Sequence, residues 1–266
     1  MGAGGFRVTW DRHAEPVPMD YRVVIPCLNE EGQVASAIKS ALYRRQTALT
    51  TVSAVVVDGG STDGTVKAAQ RAGAQVLSSK RGRGPQMNCG AVGVRDDQLL
   101  VFLHADSQLP VRYDASISKA FERYSARMAK QGQWGCFSTI KLDKPGLRSA
   151  LLRASVSLRT RLLHLPYGDQ AIFVRGQAFR EIGGYKEVPL MEDVDLVRRL
   201  RSRFGAPVIV PGAVVTSSRR WDRLGFVRTT LLNQVIMAAW AMGTPPETLA
   251  SWYYGARQLS EKRHGK

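Results

Sequence analysis

Acidic side chains occur at three places in the sequence where they could bind a metal ion or act as a base. Asp58 and Asp106 each follow an apolar run, and Glu192 and Asp193 form a pair later in the chain. Hard divalent cations prefer carboxylate oxygens, and a carboxylate that binds no metal can take a proton from a hydroxyl group. The set therefore predicts a metal site with a separate general base. The alternative for each acid is capping of a loop or helix.

Basic and glycine-rich segments accompany these acids. Lys80, Arg81 and Arg83 lie in a glycine-rich stretch, and arginine can bind phosphate oxygens through two parallel N–H groups. Residues 59–65, which follow Asp58, are also glycine-rich and let a ligand approach the backbone closely. The combination suits a nucleoside diphosphate and a group transferred from it. Neither a dinucleotide-binding G-x-G-x-x-G after the first strand nor a P-loop motif is present, which argues against a dehydrogenase or a P-loop enzyme.

Apolar runs alternate with amphipathic segments in the first half of the chain, which predicts an α/β fold with a doubly wound, mostly parallel sheet and right-handed crossovers. Ligands bind at the carboxyl ends of the strands in such sheets, so Asp58 and Asp106 are expected at one edge. The predicted strands are 21–26, 52–57, 75–77 and 99–104, and the third and fourth helices cover 86–94 and 112–130.

The second half of the chain is less regular. Its predicted strands are 134–142, 171–174 and 207–211, its predicted helices are 147–163 and 192–204, and Pro245-Pro246 separate two further helices. We therefore expect a leader at 1–20, one catalytic domain at 21–215, and a basic, amphipathic helical segment at 216–266.

The net charge of +16 attracts phosphates, nucleic acid or an anionic membrane surface, and half of the excess lies in residues 195–266. A solvated basic surface without a specific partner is the alternative. Cys27, Cys89 and Cys136 form no C-x-x-C pair, which fits a reducing compartment. Residues 1–20 contain no secretory apolar run, and no stretch is apolar enough for a spanning helix. We expect a cytoplasmic protein, soluble or peripheral on a membrane.

Several of these motifs occur together in a known family. The segment 24–30 reads V-I-P-C-L-N-E, the segment 55–65 reads V-V-V-D-G-G-S-T-D-G-T, and the Asp106 strand and the acidic pair follow. The chain in this respect resembles the family 2 glycosyltransferases of GT-A fold over residues 21–221. The resemblance implies a nucleotide-sugar donor, a divalent metal (Mn²⁺ or Mg²⁺) and inversion at the anomeric carbon.

The resemblance also assigns roles to residues. It implies that Asp106 is the second acid of the D-x-D metal motif and Asp193 is the catalytic base, with Glu192 on the acceptor side. His104 stands at the first D-x-D position, where it would bind the metal, hydrogen-bond the ribose or a metal-bound water, or simply pack in the interior. The residues implied for nucleotide binding are Pro26, Asn29, Glu30, Asp58, Arg83, Asp106 and Arg220.

Processive members of the family carry Q-x-x-R-W after the acidic pair. Here Ser217 stands in place of the glutamine, with Arg220 and Trp221 at the last two positions, which argues against a processive polymerase. More narrowly, segments around 168–170, 189–195 and 228–233 resemble a bacterial subgroup found beside radical-SAM enzymes and described as an arsenosugar-biosynthesis glycosyltransferase. The resemblance places Gly168, Asp169, Gln170 and Trp221 on the acceptor side.

The leading hypothesis is a non-processive glycosyltransferase with a UDP-sugar donor and a small-molecule or lipid-linked acceptor. The alternatives are a nucleotidyltransferase, which lacks the phosphate loop expected near the first strand, and a basic nucleic-acid-binding module, which lacks interleaved aromatic residues. No nucleic-acid partner is expected, and a homodimer is left open. The apolar and basic residues of 219–242 could lie on a membrane, or cover the catalytic domain or a second subunit.

Overall fold

The structure is a computed structural model that describes residues 19–43, 50–128 and 132–264. The predicted leader, 1–20, lies almost entirely outside the described residues. Within them, helices flank both faces of one eight-stranded sheet, which confirms the α/β class. The helical C-terminal segment is also present.

The sheet is mixed. Its strands follow the spatial order β3-β2-β1-β4-β7-β6-β8-β5. The pairs among β1 to β4 are parallel, as is β6 with β8, whereas β7 runs antiparallel to both of its neighbours and β5 runs antiparallel to β8. The strands are β1 Tyr21–Cys27, β2 Val52–Asp58, β3 Gln75–Ser78, β4 Leu99–Phe102, β5 Ser107–Gln108, β6 Trp134–Leu142, β7 Phe173–Arg175 and β8 Val208–Thr216.

Ten α-helices are assigned in the described residues, and a 3₁₀ turn covers Gly168–Gln170. The boundaries at 134–142, 147–163 and 192–204 agree with the predicted ones. The short helix Gly176–Glu181, the strand β5 and a third C-terminal helix were not predicted. The helices are α1 Glu31–Leu42, α2 Thr65–Arg71, α3 Arg83–Ala91, α4 Tyr113–Met128, α5 Leu147–Leu163, α6 Gly176–Glu181, α7 Glu192–Phe204, α8 Arg219–Leu224, α9 Phe226–Ala241 and α10 Pro246–His264.

The core lies on both faces of the sheet because successive side chains of a strand point to opposite faces. In β1, Val23 and Ile25 belong to a cluster with α1 and α4, whereas Val24 belongs to a second cluster with α3 and α7. Burial on both faces fixes the register, and a one-residue slip would move every side chain to the wrong cluster.

The carboxyl ends of β1, β2 and β4 meet at one edge of the sheet. Cys27 pairs with Asp58 across β1 and β2, and Leu103 still donates its N–H to Val24 O beyond the end of β4. The buried Gln86 amide donates to Cys27 O at 2.8 Å and to Val57 O at 2.7 Å, so α3 binds both strand ends. This is the edge at which the predicted acids lie.

The C-terminal helices pack on the catalytic domain. Ile236 and Ala239 of α9 and Leu249 of α10 form a cluster with Met191 and Val194, beside the acidic pair. The segment was predicted to lie on a membrane, on the catalytic domain or on a second subunit. The structure shows contacts with the catalytic domain. No helix in the described part of the chain is long and apolar enough to cross a membrane.

Candidate active site

Asp58 lies at the end of β2, with its carboxylate turned into the loop that follows. Oδ2 accepts the N–H groups of Gly60 and Ser61, both at 3.0 Å, and Oδ1 accepts the Ser61 hydroxyl at 2.5 Å. Asn29 is exposed and has a positive φ of 54°, and its Oδ1 accepts the Thr62 N–H at 2.8 Å. The ends of β1 and β2 are therefore held as one rigid surface next to the buried Pro26.

Asp106 lies at the same edge, beyond β4, and an arginine faces it. Arg219 Nη2 lies 2.6 Å from Glu30 Oε2 and 3.8 Å from Asp106 Oδ2. The Asp106 side chain is 32% exposed. A guanidinium thus stands between two of the predicted donor-site acids and neutralises part of their charge.

Asp193 and His104 meet around Gly168. The Gly168 N–H donates to Asp193 Oδ2 at 2.7 Å, which ties the 3₁₀ turn to the first turn of α7. A Cβ on Gly168 would lie 3.0 Å from Asp193 Oδ2 and 3.2 Å from His104 Nε2. Any larger residue at position 168 would crowd both the Asp193 carboxylate and the His104 imidazole, and glycine lets both groups contact the backbone there.

His104 is neutral near neutral pH. Burial, reinforced by the charge of Arg83, lowers the pKa of His104 to about 4. A neutral imidazole keeps a lone pair for a metal ion or a hydrogen-bond donor. His104 Nε2 lies beside Gly168, whose N–H binds Asp193, and the three roles predicted for His104 stay open.

The lowered pKa of His104 predicts a pH dependence of stability. An unfolded histidine titrates near ~6.5, so below that pH the unfolded chain binds this proton more readily than the fold does. In metal-free protein, the stability linked to neutral His104 is fully present above about pH 6.5 and is lost as the pH falls towards 4. Between those limits, we expect wild type to lose about 2 kcal/mol more unfolding free energy than His104→Gln.

Urea unfolding at a series of pH values, with a chelator present, measures this difference. Carboxylates remote from His104 titrate alike in both proteins and cancel in the comparison. Identical pH profiles for wild type and His104→Gln would contradict the assigned protonation state.

Glu192 is buried, whereas a residue that contacts an acceptor has to be accessible from the cleft. Its side chain is 4% exposed, and its carboxylate lies 3.6 Å from Nη1 of the half-exposed Arg83. Burial and the neighbouring charge of Asp193 raise the pKa of Glu192. The predicted acceptor-side role of Glu192 is therefore revised to that of a positioning residue, which holds Arg83 at the rim of the site.

The three residues of the 3₁₀ turn have different environments. Gln170 has no exposed surface, and its amide bonds to Phe137 O, Thr160 and Arg159 within the fold. Gln170 was predicted on the acceptor side, and its fully enclosed side chain gives it the role of a positioning residue that holds the 3₁₀ turn against β6 and α5. Asp169 differs, since its buried Oδ1 has no hydrogen-bond partner among the described residues, and burial raises its pKa. Asp169 remains an acceptor-side prediction.

The neighbouring arginines Arg219 and Arg220 have different hydrogen-bond partners. Arg220 donates to Asn233 Oδ1 at 2.8 Å and lies over the ring of Tyr253, so in this conformation it binds α9 and α10. Arg220 lies close enough to His104 and Asp169 for its charge to act on both, so its predicted nucleotide contact stays a prediction, whereas Arg219 is the arginine that faces Glu30 and Asp106. Trp221 is half-buried in the same helix, α8.

Sequence reasoning missed one residue of the site, Gln86. Its only signal in the sequence was a polar residue in a helix next to the glycine-rich stretch.

A divalent metal fits the donor atoms at this edge. Within the described residues, no group of three His, Cys, Asp or Glu side chains is placed to hold an ion. The available donors are the Asp106 carboxylate and the neutral His104 imidazole. This small set suits a cation such as Mg²⁺, which is usually bound through one or two carboxylates, water and substrate phosphates.

Comparison with known proteins places this site in a family. The sequence profile described as glycosyl transferase family 2 matches residues 22–185, more than half of the chain. The chain belongs to glycosyl transferase family 2. No curated protein matches it.

Solved structures agree with this assignment at the level of the fold. The structure of S. aureus TarS 1-349 is similar with a TM-score of 0.56 and 15% sequence identity, over 75% of this chain and 61% of that one. Glucosyl-3-phosphoglycerate synthase from Mycobacterium tuberculosis, solved with Mn²⁺, UDP and glucosyl-3-phosphoglycerate, has a TM-score of 0.51 and 19% identity, over 85% of each chain. The family 2 protein thus has the GT-A fold, and it spans less than two thirds of the TarS structure.

Proposed function

We propose that the protein is a non-processive, inverting, metal-dependent glycosyltransferase. It transfers a sugar from a nucleotide-sugar donor to a hydroxyl group of a small-molecule or lipid-linked acceptor. One observation carries the proposal: the Asp193 carboxylate is held by the Gly168 N–H at 2.7 Å, beside His104, in a chain with the family 2 profile. A fixed, ionisable oxygen at this point of the fold is what direct displacement at a sugar carbon requires.

The reaction assigned to these residues is a single displacement. Asp193 takes the proton of the acceptor hydroxyl as the oxygen attacks the anomeric carbon, and the new C–O bond forms as the bond from that carbon to the diphosphate breaks. The leaving nucleoside diphosphate carries the negative charge away. Arg219 and Arg83 stand at the rim where they can bind that charge through their N–H groups.

The donor side is assigned to the residues at the ends of β1, β2 and β4. Pro26, Asn29, Glu30 and Asp58 would border the nucleoside, and Asp106 with His104 would hold Mn²⁺ or Mg²⁺. When bound, the metal neutralises charge on the diphosphate. TarS has been solved in complex with UDP-GlcNAc, and the mycobacterial synthase with UDP, which favours uridine here.

The acceptor side is assigned to Gly168, Asp169 and Trp221. The unpartnered Oδ1 of Asp169 supports this, since a buried polar oxygen normally has a partner and an acceptor hydroxyl would supply one. Membership of the radical-SAM-associated subgroup, a homodimer and peripheral membrane association stay predictions. No observation in the described residues favours a nucleotidyltransferase or a nucleic-acid-binding module.

A panel of nucleotide sugars tests the proposed reaction. Each donor is incubated with the protein and MnCl₂, and the released nucleotide is identified by chromatography, with water as the acceptor. We expect release of a nucleoside diphosphate, UDP before others, by wild type and not by Asp193→Asn purified in the same way. Release that is equal in both proteins, or absent with every donor, would overturn the proposal.

A further inference from the structure

The helix α5 has two apolar faces, and the described residues cover only one of them. Its inner face packs on the sheet through Val156, with Ser149 and Thr160 also buried. A helix with 3.6 residues per turn places Leu147, Leu151, Leu158 and Leu162 about half a turn from that face. These four leucines, which we call the α5 leucine stripe, have 54% to 76% of their surface exposed.

The packing of α5 holds the stripe in a fixed orientation. The Ser149 hydroxyl accepts the Leu142 N–H at 3.0 Å, and the Thr139 hydroxyl donates to Arg153 O at 2.7 Å, so both bonds join α5 to β6. The stripe is therefore presented outward by a rigid helix. A solvent-facing helix surface is normally polar, and a row of leucines there indicates a binding surface.

The residues beside the α5 leucine stripe are positively charged, which indicates the kind of partner that can bind there. Arg148 and Arg161 flank it on either side and Arg153 is also exposed, while residues 145–163 contain no acidic side chain. Symmetric pairing with a second copy would bring these arginines together with no acid of α5 to compensate them. Leucines flanked by arginines instead match a partner that has an apolar layer beneath a negatively charged surface.

We propose that the α5 leucine stripe and its flanking arginines dock the protein on an anionic lipid membrane. The leucines enter the boundary between headgroups and acyl chains, and the arginines bind lipid phosphates. The exposed apolar residues of α9, such as Leu231 and Val235, lie on a different helix, which contains one arginine against the four of α5. The docking does not depend on the proposed sugar transfer.

Vesicle flotation of the full chain tests the docking. We expect wild type to float with phosphatidylcholine vesicles that contain about 30% phosphatidylglycerol, and not with phosphatidylcholine alone. Because the arginines act through charge, raising the salt from about 0.05 M to about 0.5 M should release much of the protein. Failure to float with the anionic vesicles at low salt would overturn the proposal.

Paired variants locate the surface. Leu151→Gln with Leu158→Gln should lower partitioning roughly tenfold or more, and so should Arg148→Gln with Arg161→Gln. The matched control, Leu231→Gln with Val235→Gln on α9, should bind like wild type. Thermal unfolding with UDP and MnCl₂ shows whether each variant keeps its fold and its donor site.

Two results of the variant series would overturn the proposal. One is loss of flotation in the α9 control while both α5 pairs bind normally. The other is a wild-type dimer in solution that Leu151→Gln with Leu158→Gln converts to monomer, which would make the stripe a contact between copies of the chain. Should the leucine pair fail to fold, the arginine pair and the salt titration decide.

Discussion

Replacement of Asp193 by asparagine should lower the turnover number by roughly 10²–10⁴-fold, the usual contribution of a general base. An alcohol or water is a weak nucleophile near neutral pH, and the asparagine amide cannot take its proton. The shape of the residue is kept, but one of the two hydrogen bonds accepted by the carboxylate, from Gly168 N–H or Val194 N–H, is lost. We expect this loss to cost about 1 kcal/mol of stability and to leave donor binding close to that of wild type.

Initial rates of nucleotide release at saturating donor measure the effect, and UDP binding to the same preparation serves as its control. Asp193→Glu keeps a carboxylate in a displaced position and should recover part of the rate. Turnover of Asp193→Asn near that of wild type would instead assign the base to Glu192 or Asp169.

Replacement of Asp106 by alanine should abolish the stabilisation by nucleotide that depends on metal. At a UDP concentration of about 100 times Kd, binding should stabilise wild type by about 2.7 kcal/mol, or about 5–10 °C in Tm. The variant loses the only carboxylate assigned to the metal. The Tm of the free protein should change little, because the Asp106 side chain is one-third exposed and its contacts, to Ser107 and Arg219, are at 3.2 and 3.8 Å.

Thermal unfolding with and without UDP and MnCl₂ measures this loss. Asp97→Ala is a matched control, since it removes an exposed aspartate that pairs with Arg95 on another part of the surface. If Asp106→Ala were stabilised as much as wild type, Asp106 would have no part in the metal site.

The sequence predicted those parts of the fold that local patterns encode. Apolar runs marked β1, β2 and β4, and the acids at their ends marked the site edge, because parallel strands buried on both faces appear as continuous apolar segments. The direction of β7 was not predictable in this way, since a short apolar run has no feature that distinguishes a parallel from an antiparallel partner. The sheet is mixed, but four of its seven strand pairs in the described residues are parallel, so the expectation of a mostly parallel sheet is confirmed.

The site was predictable in its residue types and less so in its contacts. Asp193 and Gly168 are far apart in the chain, and only the folded packing of α7 against the 3₁₀ turn brings the N–H to the carboxylate. Adjacent residues of one helix point in different directions, so the pattern at 219–220 could not show that Arg219 pairs with Glu30 while Arg220 donates to Asn233. The motif position of Gln170 predicted only that it lies on the acceptor side, and the fold was needed to show that its side chain is fully buried.

Calorimetric titration of UDP into the protein, in the presence and absence of MnCl₂, tests the central claim most directly. The claim is that the ends of β1, β2 and β4 form a metal-assisted site for a nucleoside diphosphate. We expect saturable binding of one UDP per chain with Mn²⁺, weakened at least about tenfold when the metal is chelated, because a metal held by Asp106 would neutralise charge on the diphosphate. Absence of binding for UDP, GDP and TDP with either Mn²⁺ or Mg²⁺ would contradict the account.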